Sequence, residues 1–242
     1  MNNNPLYGKR IVFDGDSICY GGSEISVGEN RGWPYRIGAK NAMEWYNYGV
    51  NSATITAETY SERTGAPLHW LTRYIDEIHE KHPTLDYIIF EGGTNDSDRL
   101  GGIGSARLGE LDIADFSGNY DDTTFTGAVE TLFYKAINYY PRAKIGFIIV
   151  QKTGVRTTGY GENAPRRYYF LRAIEICKKW GVPYIDLWGD CPLNPALTAY
   201  YDKNLDVSGN RAAGKAYIDG THLTSEGYDY VSPMIEAWLK SL

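Results

Sequence analysis

The sequence predicts an α/β fold in which helices cover both faces of a parallel sheet of five strands, a three-layer α/β/α sandwich. Short apolar runs alternate along the chain with longer segments of helical periodicity, a pattern typical of βαβ units. Polar or glycine-rich turns directly follow several of these runs. No internal repeat, low-complexity tract or linker interrupts the 242 residues, so we expect a single domain over residues 1–242.

Five short apolar runs are predicted to form the strands. The first run is followed at once by Gly15-Asp16-Ser17, the second leads into a polar stretch, and the third is stopped by Gly92-Gly93. The fourth run is the most hydrophobic of the five. In chain order the predicted strands are residues 11–13, 45–50, 86–91, 144–150 and 183–187.

Four longer segments carry apolar residues at three- and four-residue steps and are predicted to be helices. In the first of them Leu71, Ile75 and Ile78 fall on one face. Pro141 and Gly181 follow the second and third segments, as expected just beyond helix ends. The predicted helices are residues 67–81, 125–140, 163–180 and 225–239.

One predicted connection is much longer than the others. Residues 96–123 are rich in glycine and aspartate and show no clear periodicity. Connections of this length inside compact domains are usually functional or mobile, and this one follows a polar strand end, so we expect it to overhang the functional site. Its Arg99 and Arg107 are expected to pair with neighbouring aspartates rather than with a substrate.

The composition limits the classes of function. Hydrophobic residues make up 43% and charged residues 22% of the chain, which is usual for a folded domain. The net charge of −6 and the lack of a basic cluster argue against a nucleic-acid partner and favour a neutral substrate. No apolar run is long enough for a membrane span, and the N-terminus carries no signal sequence. We therefore expect a cytoplasmic protein, or a secreted one if a signal has been removed. The sequence is compatible with an oligomer.

The three cysteines, Cys19, Cys177 and Cys191, are odd in number and have no paired spacing. They are expected to be buried or half-buried free thiols. Neither a disulfide framework nor a metal site is expected from this pattern.

Three polar clusters follow predicted strands, where sheets of this kind bind their ligands. Ser17 lies on the turn after the first strand, where its hydroxyl and amide can face outward, although an N-capping serine gives the same pattern. The stretch 47–54 after the second strand can present a backbone N–H, and Asn95 after the third strand is an uncharged donor. Each cluster, taken alone, also fits an ordinary turn.

A fourth cluster, Asp219-Gly220-Thr221-His222, precedes the last predicted helix. Histidine is suited to general-base chemistry and needs an acceptor that fixes its tautomer, which Asp219 can supply. The other histidines, His69, His79 and His82, lie on or beside one helix and are expected at the surface.

In this order and at these strand ends, the clusters resemble the SGNH hydrolases, also called GDSL esterases/lipases. The motifs are GDS at Gly15-Asp16-Ser17, GxND at residues 93–96 and DxxH at residues 219–222, and the resemblance runs from Phe13 to the final helix. It implies a flavodoxin-like sheet and a serine esterase with Ser17 as nucleophile, His222 as base and Asp219 as its partner. It also implies an oxyanion hole made by the Ser17 amide, Asn95 and a backbone N–H of the second cluster.

The second cluster departs from the family pattern. This block usually reads G-x-S-G-x-T, whereas the chain has Gly49-Val50-Asn51-Ser52-Ala53-Thr54, which puts Ser52 at the usual glycine position. The oxyanion hole needs only the backbone N–H there, so serine can in principle replace glycine. The backbone angles and free space at Ser52 are the open question, and Gly49 is a less favoured alternative donor.

The resemblance further implies an acyl-enzyme mechanism without metal or cofactor. Small members of the family often act on short acyl groups and many deacetylate sugars, and the 96–123 stretch offers no continuous apolar surface to a lipid. We therefore expect a carbohydrate O-acetyl esterase (acetylesterase) ahead of a short-chain lipase or thioesterase. The candidate substrate contacts are Asp16, Gly49 and the loop aromatics Trp33, Tyr160, Tyr200 and Tyr201.

Two alternatives from other functional classes remain. A flavodoxin-like sheet can bind a nucleotide or flavin at the same edge, but FDGDSICYGG contains neither GxGxxG nor a P-loop and sets Asp16 beside the would-be phosphate. A carbohydrate-binding module can keep the fold without activity. The intact set Ser17, Asn95, Asp219 and His222 argues against that second alternative.

Overall fold

The computed structural model describes residues 4–21, 32–60, 65–97, 107–154 and 166–242, and in it five parallel strands form one sheet. The strand order is β2-β1-β3-β4-β5. The strands are β1 (Arg10–Asp14), β2 (Glu44–Asn47), β3 (Tyr87–Glu91), β4 (Lys144–Ile149) and β5 (Tyr184–Asp186). All five lie within or next to the predicted runs, so the expected α/β class is confirmed. The order reverses between β1 and β3, and ligands bind beside such a switch point in open sheets.

Helices cover both faces of the sheet. Phe147 of β4 contacts Phe133 on one face, with ring centroids 5.9 Å apart. On the other face the neighbouring Gly146 has no room for a Cβ, because the Trp238 ring would lie 2.6 Å from it. The helices are α1 (Ser17–Tyr20), α2 (Trp33–Lys40), α3 (Leu71–Lys81), α4 (Phe125–Tyr139), α5 (Arg166–Trp180), α6 (Leu187–Asp190), α7 (Val207–Ala212) and α8 (Ser225–Ser241).

Burial follows from this layering. The central strands β1 and β3 are apolar on both faces, as expected for parallel strands with helices above and below. The edge strand β2 is only half-buried. Helix α3 packs on α4 and α4 on α5, while α2 packs on α8. The core is therefore divided by the sheet into two apolar layers, which is the predicted three-layer sandwich.

Helix α3 begins four residues later than its periodicity predicts. Residues 67–70 are extended, because the Thr54 N–H donates to the His69 carbonyl and the Leu71 N–H donates to the Thr54 carbonyl, each at 2.9 Å. Helix α2 was not predicted. Its N-cap residue, Gly32, has no side chain that could cap the helix, and only Pro34 in the first turn indicates a helix start.

The expectation of surface histidines is wrong for His82. This side chain is buried and its Nε2 lies 2.9 Å from the Tyr48 hydroxyl. His69 and His79 are half-buried and stack on tyrosine rings. Burial lowers the pKa of His69 to about 4, so this histidine is neutral at neutral pH. An amphipathic helix pattern does not distinguish such stacked histidines from solvated ones.

Much of the stretch 107–124 packs against α4 and α5. The Arg172 guanidinium donates to the Gly109 carbonyl at 2.6 Å, and Phe116 lies edge-on to Trp180 with centroids 5.1 Å apart. Gly109 and Phe116 therefore lie against α5 rather than over the site, whereas the Asp122 carbonyl accepts the Ala57 N–H of the loop after β2 at 2.9 Å. Arg107 pairs weakly with Asp121 at 3.6 Å, and Arg99 lies outside the described residues.

The three cysteines are buried free thiols, as predicted. Burial raises the pKa of each of them, so all three are protonated at neutral pH. In the part of the chain that the structure describes, no helix has the length and apolarity needed to span a bilayer.

Candidate active site

The structure brings the three predicted triad residues together from opposite ends of the sequence. Ser17 is the first residue of α1, directly beyond the carboxyl end of β1. Its Oγ lies 2.9 Å from Nε2 of His222, and Nδ1 of the same ring lies 2.8 Å from Oδ2 of Asp219. Hydroxyl, imidazole and carboxyl therefore form one hydrogen-bonded series.

The loop before α8 holds Asp219 in its ionised form. Its Oδ1 accepts the backbone N–H groups of Thr221 at 3.0 Å and of His222 at 2.8 Å. Burial by itself raises the pKa of Asp219, but the hydrogen bonds from His222 and Thr221 outweigh it and lower the pKa below its ordinary value. A carboxylate at this place accepts a hydrogen bond from Nδ1–H, which leaves Nε2 of His222 unprotonated and free to accept the proton of Ser17.

The turn that presents Ser17 is tightly packed. A Cβ on Gly15 would lie 2.7 Å from Glu91 Oε2 and 2.8 Å from Cys19 Cβ, so only glycine lets the ends of β1 and β3 approach this closely. Asp16 is the N-cap of α1, and its Oδ1 accepts the Ile18 N–H at 2.8 Å. The expectation that Asp16 contacts substrate is wrong, because its side chain is buried and caps the helix.

The second and third clusters lie side by side. Nδ2 of Asn95 donates to the Ala53 carbonyl at 2.7 Å. The buried Asp96 carboxylate accepts the N–H groups of Ile55 at 3.2 Å and Thr56 at 2.9 Å, which ties the loop after β2 to the loop after β3. A carboxamide nitrogen has two hydrogens, so Asn95 keeps one for a further acceptor.

Ser52 occupies an exposed position in the left-handed region, with φ at +64°. A position with this φ favours glycine, which agrees with the residue usual in the family pattern. Within the described residues, the backbone N–H of Ser52 and that of Ser17 donate to no acceptor. Both amides are therefore free to bind an oxygen atom of a ligand.

Three further expectations concern substrate contacts. Gly49 does not offer a free amide, because it is buried and its N–H donates to Asn47 Oδ1 at 2.9 Å. Its role is steric, since a Cβ there would lie 2.4 Å from the Tyr20 nitrogen. Trp33 is completely buried and packs edge-on against Tyr228, so the expectation that it lies on a loop and stacks on a sugar is wrong. Tyr160 lies outside the described residues.

A cavity of about 320 Å³ adjoins the loop that carries Asp219 and His222. The Tyr201 ring forms one wall and lies 3.5 Å from the point where a Cβ on Gly220 would be. Lys203 has no hydrogen-bond or ion-pair partner among the described residues, whereas Asn204 donates to Asp202 at 3.0 Å. Sequence reasoning had identified only the tyrosine pair here. The cavity is lined by Gly154, Pro195, Ala196, Thr198, Tyr201, Asp202, Lys203, Asn204 and Gly220.

Beneath α1 lie three buried carboxyl groups, of which sequence reasoning had considered only Asp16. Asp14 and Glu91 end β1 and β3, and none of the three side chains reaches solvent. Burial raises the pKa of all three, most strongly for Asp14 and Glu91. The only available sequence signal was an acidic residue at the end of an otherwise apolar strand.

A parallel sheet that carries a Ser–His–Asp series at the carboxyl ends of its strands has the architecture of a hydrolase. The model of the GDSL-like lipase/acylhydrolase family matches residues 13–230. The chain belongs to this family and is an ester hydrolase. The resemblance inferred from the GDS, GxND and DxxH motifs is thereby confirmed.

Solved structures share the fold. A protein from Lactobacillus plantarum is 21% identical, with 97% of this chain and 98% of that chain covered and a TM-score of 0.71. The native aryl esterase of M. smegmatis is 15% identical over 97% and 100% of the chains, with a TM-score of 0.65. A carbohydrate acetylesterase family member from Sinorhizobium meliloti is 14% identical over 96% and 99%, with a TM-score of 0.59. No curated protein matches the sequence.

Proposed function

We propose that the protein is a serine esterase that works through an acyl-enzyme on Ser17. The hydrogen-bonded series from Ser17 Oγ through His222 to Asp219 carries this proposal. Ser17 attacks the ester carbonyl carbon while His222 Nε2 accepts the hydroxyl proton, which then passes to the oxygen of the leaving alcohol. Water, deprotonated by His222, attacks the acyl-enzyme and releases the acid.

The negative charge that develops on the carbonyl oxygen is bound by three donors. These are the free amides of Ser17 and Ser52 and the second amide hydrogen of Asn95. The bond from Asn95 to the Ala53 carbonyl supports this assignment, because it holds the Ser52 turn next to the carboxamide. Loss of one such donor usually costs about 10²–10³ in kcat.

We further propose that the natural substrate is a carbohydrate ester with a short acyl group, most simply acetate. The cavity beside Gly220 supports a sugar as the alcohol, because its lining combines the Tyr201 ring with amide, carboxylate and ammonium groups that can bind hydroxyls. The net charge of −6 is compatible with a neutral carbohydrate. The carbohydrate acetylesterase family member of similar fold agrees with this substrate class.

Ester hydrolysis and acyl preference are tested together with p-nitrophenyl acetate, butyrate and octanoate, for the wild type and Ser17→Ala. We expect kcat/KM to fall with chain length, and Ser17→Ala to lose at least about 10³-fold on every ester. Preference for octanoate would instead indicate a lipase. Absence of turnover on all three, with retained binding of sugars, would indicate a carbohydrate-binding module.

The sugar site is tested with an acetylated xylo-oligosaccharide. Lys203→Ala is expected to raise KM about three- to tenfold on this substrate and to leave p-nitrophenyl acetate unchanged, because only the oligosaccharide reaches the cavity. Lys178→Ala, which removes an equally exposed lysine from α5, is the matched control. Equal kinetics of the two variants on the oligosaccharide would exclude the cavity as the alcohol site.

A further inference from the structure

Two carboxyl groups meet directly beneath the proposed nucleophile. Asp16 and Glu91 are direct neighbours, because the Asp16 backbone N–H donates to Glu91 Oε2 at 3.1 Å and both carboxyl groups are buried. Asp16 Oδ1 accepts the Ile18 N–H at 2.8 Å. These two hydrogen bonds join the end of β3 to the first turn of α1. In that turn Ser17 lies between Asp16 and Ile18, the two residues whose N–H groups are bound.

The pair is dry and short of donors. Each residue is 1% exposed, and Asp16 Oδ2 and Glu91 Oε1 have no partner among the described residues. Its four oxygens receive the backbone N–H groups of Asp16 and Ile18, and the Cys19 N–H also lowers the pKa of Glu91. No lysine or arginine of the described chain forms an ion pair with either carboxyl. Two carboxylates cannot both stay charged at such a place.

The groups around the pair decide which member is charged. The titratable side chains packed there are Asp14 from β1, Cys19 from α1, Asp96 after β3, Tyr228 from α8 and His222. Burial raises the pKa of Asp16, but the Ile18 N–H and His222 offset part of this. Burial and the adjacent Asp16 charge both raise the pKa of Glu91, well above its ordinary value.

We propose that Glu91 is a positioning residue that keeps a proton at neutral pH and donates it in a hydrogen bond to the Asp16 carboxylate. This bond fixes the cap of α1, and through it the hydroxyl and amide of Ser17. The proton stays on the pair during catalysis, and no bond to substrate is made by either carboxyl. The inference rests on the proposed role of Ser17 for its kinetic consequence, but not for its protonation state.

The kinetic test compares Glu91→Gln with Glu91→Ala on p-nitrophenyl acetate across the pH range. A carboxamide donates to Asp16 and accepts its N–H as the neutral acid does, so Glu91→Gln is expected to keep kcat within about threefold. Glu91→Ala removes the acceptor of the Asp16 N–H and leaves the Asp16 carboxylate with the Ile18 N–H alone, and we expect kcat to fall about tenfold or more with little change in KM. Equal loss in both variants, or no loss in Glu91→Ala, would overturn the proposal.

A second measurement reads the proton without using activity. The folded pKa of Glu91 is raised, so its stabilising effect is full below the unfolded pKa of about 4.3 and declines as pH rises towards the folded pKa. Glu91→Gln removes this dependence, and its Tm relative to the wild type is expected to increase as pH rises above about 4.3. A pH-independent difference between the two proteins would refute the protonated state.

Asp14→Asn is the matched control, since Asp14 is equally buried and acidic but does not contact Asp16 through its side chain. We expect its kcat to stay near that of the wild type. Absence of turnover by the wild type on every ester would contradict the proposed function but not the protonation of Glu91, which the Tm comparison measures separately.

Discussion

Ser17 lies between two carboxyl groups, Asp219 and Glu91, whose pKa values are shifted in opposite directions. On one side, which we call the base side, the Asp219 side chain is 27% exposed and receives three hydrogen bonds from His222 and Thr221. On the other, the α1 side, Asp16 and Glu91 are dry and share two backbone donors. Burial favours the neutral acid in both places, so the supply of donors decides that the base side is charged.

The sharpest test of this difference is one chemical change made on both sides, a carboxyl replaced by a carboxamide. Asp219→Asn is expected to lower kcat by about 10⁴, because an amide can hold the imidazole of His222 in the wrong tautomer and cannot stabilise the imidazolium. Glu91→Gln is expected to keep kcat within about threefold, because a carboxamide donates to Asp16 as the neutral acid does. The kcat of both variants is measured with p-nitrophenyl acetate, and Ser17→Ala gives the residual rate without the nucleophile.

Two outcomes would contradict the comparison. A kcat for Asp219→Asn within tenfold of the wild type would mean that Asp219 does not orient His222 during turnover. A loss for Glu91→Gln as large as that for Asp219→Asn would mean that Glu91 is ionised as well. Circular dichroism of both variants distinguishes either result from misfolding.

The next largest effect is expected at Asn95, the uncharged side-chain donor of the proposed oxyanion hole. Asn95→Ala removes an oxyanion donor and is expected to lower kcat by about 10²–10³ with a smaller change in KM. Asn51→Ala serves as control, because Asn51 is an exposed asparagine of the neighbouring turn without a recorded hydrogen bond. If the two variants behave alike, Asn95 only supports the Ala53 carbonyl.

The two sides are also expected to respond to pH with opposite sign. The pKa of Asp219 is lowered in the folded protein, so its stabilising effect is full above the unfolded pKa of about 3.9 and is lost as pH falls through the folded pKa. The Tm deficit of Asp219→Asn should therefore shrink on acidification below about pH 4. The deficit of Glu91→Gln should instead grow as pH falls from neutral towards about 4.3 and stay constant below that pH. Thermal scans between pH 3 and 8 check this; deficits that move in the same direction would show that the two sites do not differ in charge.

These two sides also differ in how far the sequence predicts them. Ser17, Asp219 and His222 were identified because motif and strand-end position are local properties of the chain. Glu91 was not, since an acidic residue at a strand end usually reaches solvent. Only the approach of β1 to β3 over Gly15 makes that position dry.

The same limit explains the errors on Trp33 and Asp16. Trp33 follows a glycine and precedes Pro34, which favours a loop as much as a helix start, and its burial comes from Tyr228 of α8. Asp16 stands beside the nucleophile in sequence, but the first turn of α1 directs its side chain inward to Ile18. The strands and the major helices were predictable because periodicity encodes them; contacts between distant segments were not.

The smallest expected effect concerns Ser52, which contributes its backbone N–H rather than its side chain to the proposed oxyanion hole. A non-glycine residue at φ +64° is strained by about 1–2 kcal/mol, while glycine loses about 0.5–1 kcal/mol in backbone entropy. Ser52→Gly is therefore expected to raise the free energy of unfolding by up to about 1 kcal/mol, and Ser52→Ala to leave it nearly unchanged. Both keep the N–H, so kcat should stay within about twofold. A rise in kcat of tenfold or more in Ser52→Gly alone would show that strain at this turn misaligns the amide, and that serine only partly replaces the glycine usual in the family.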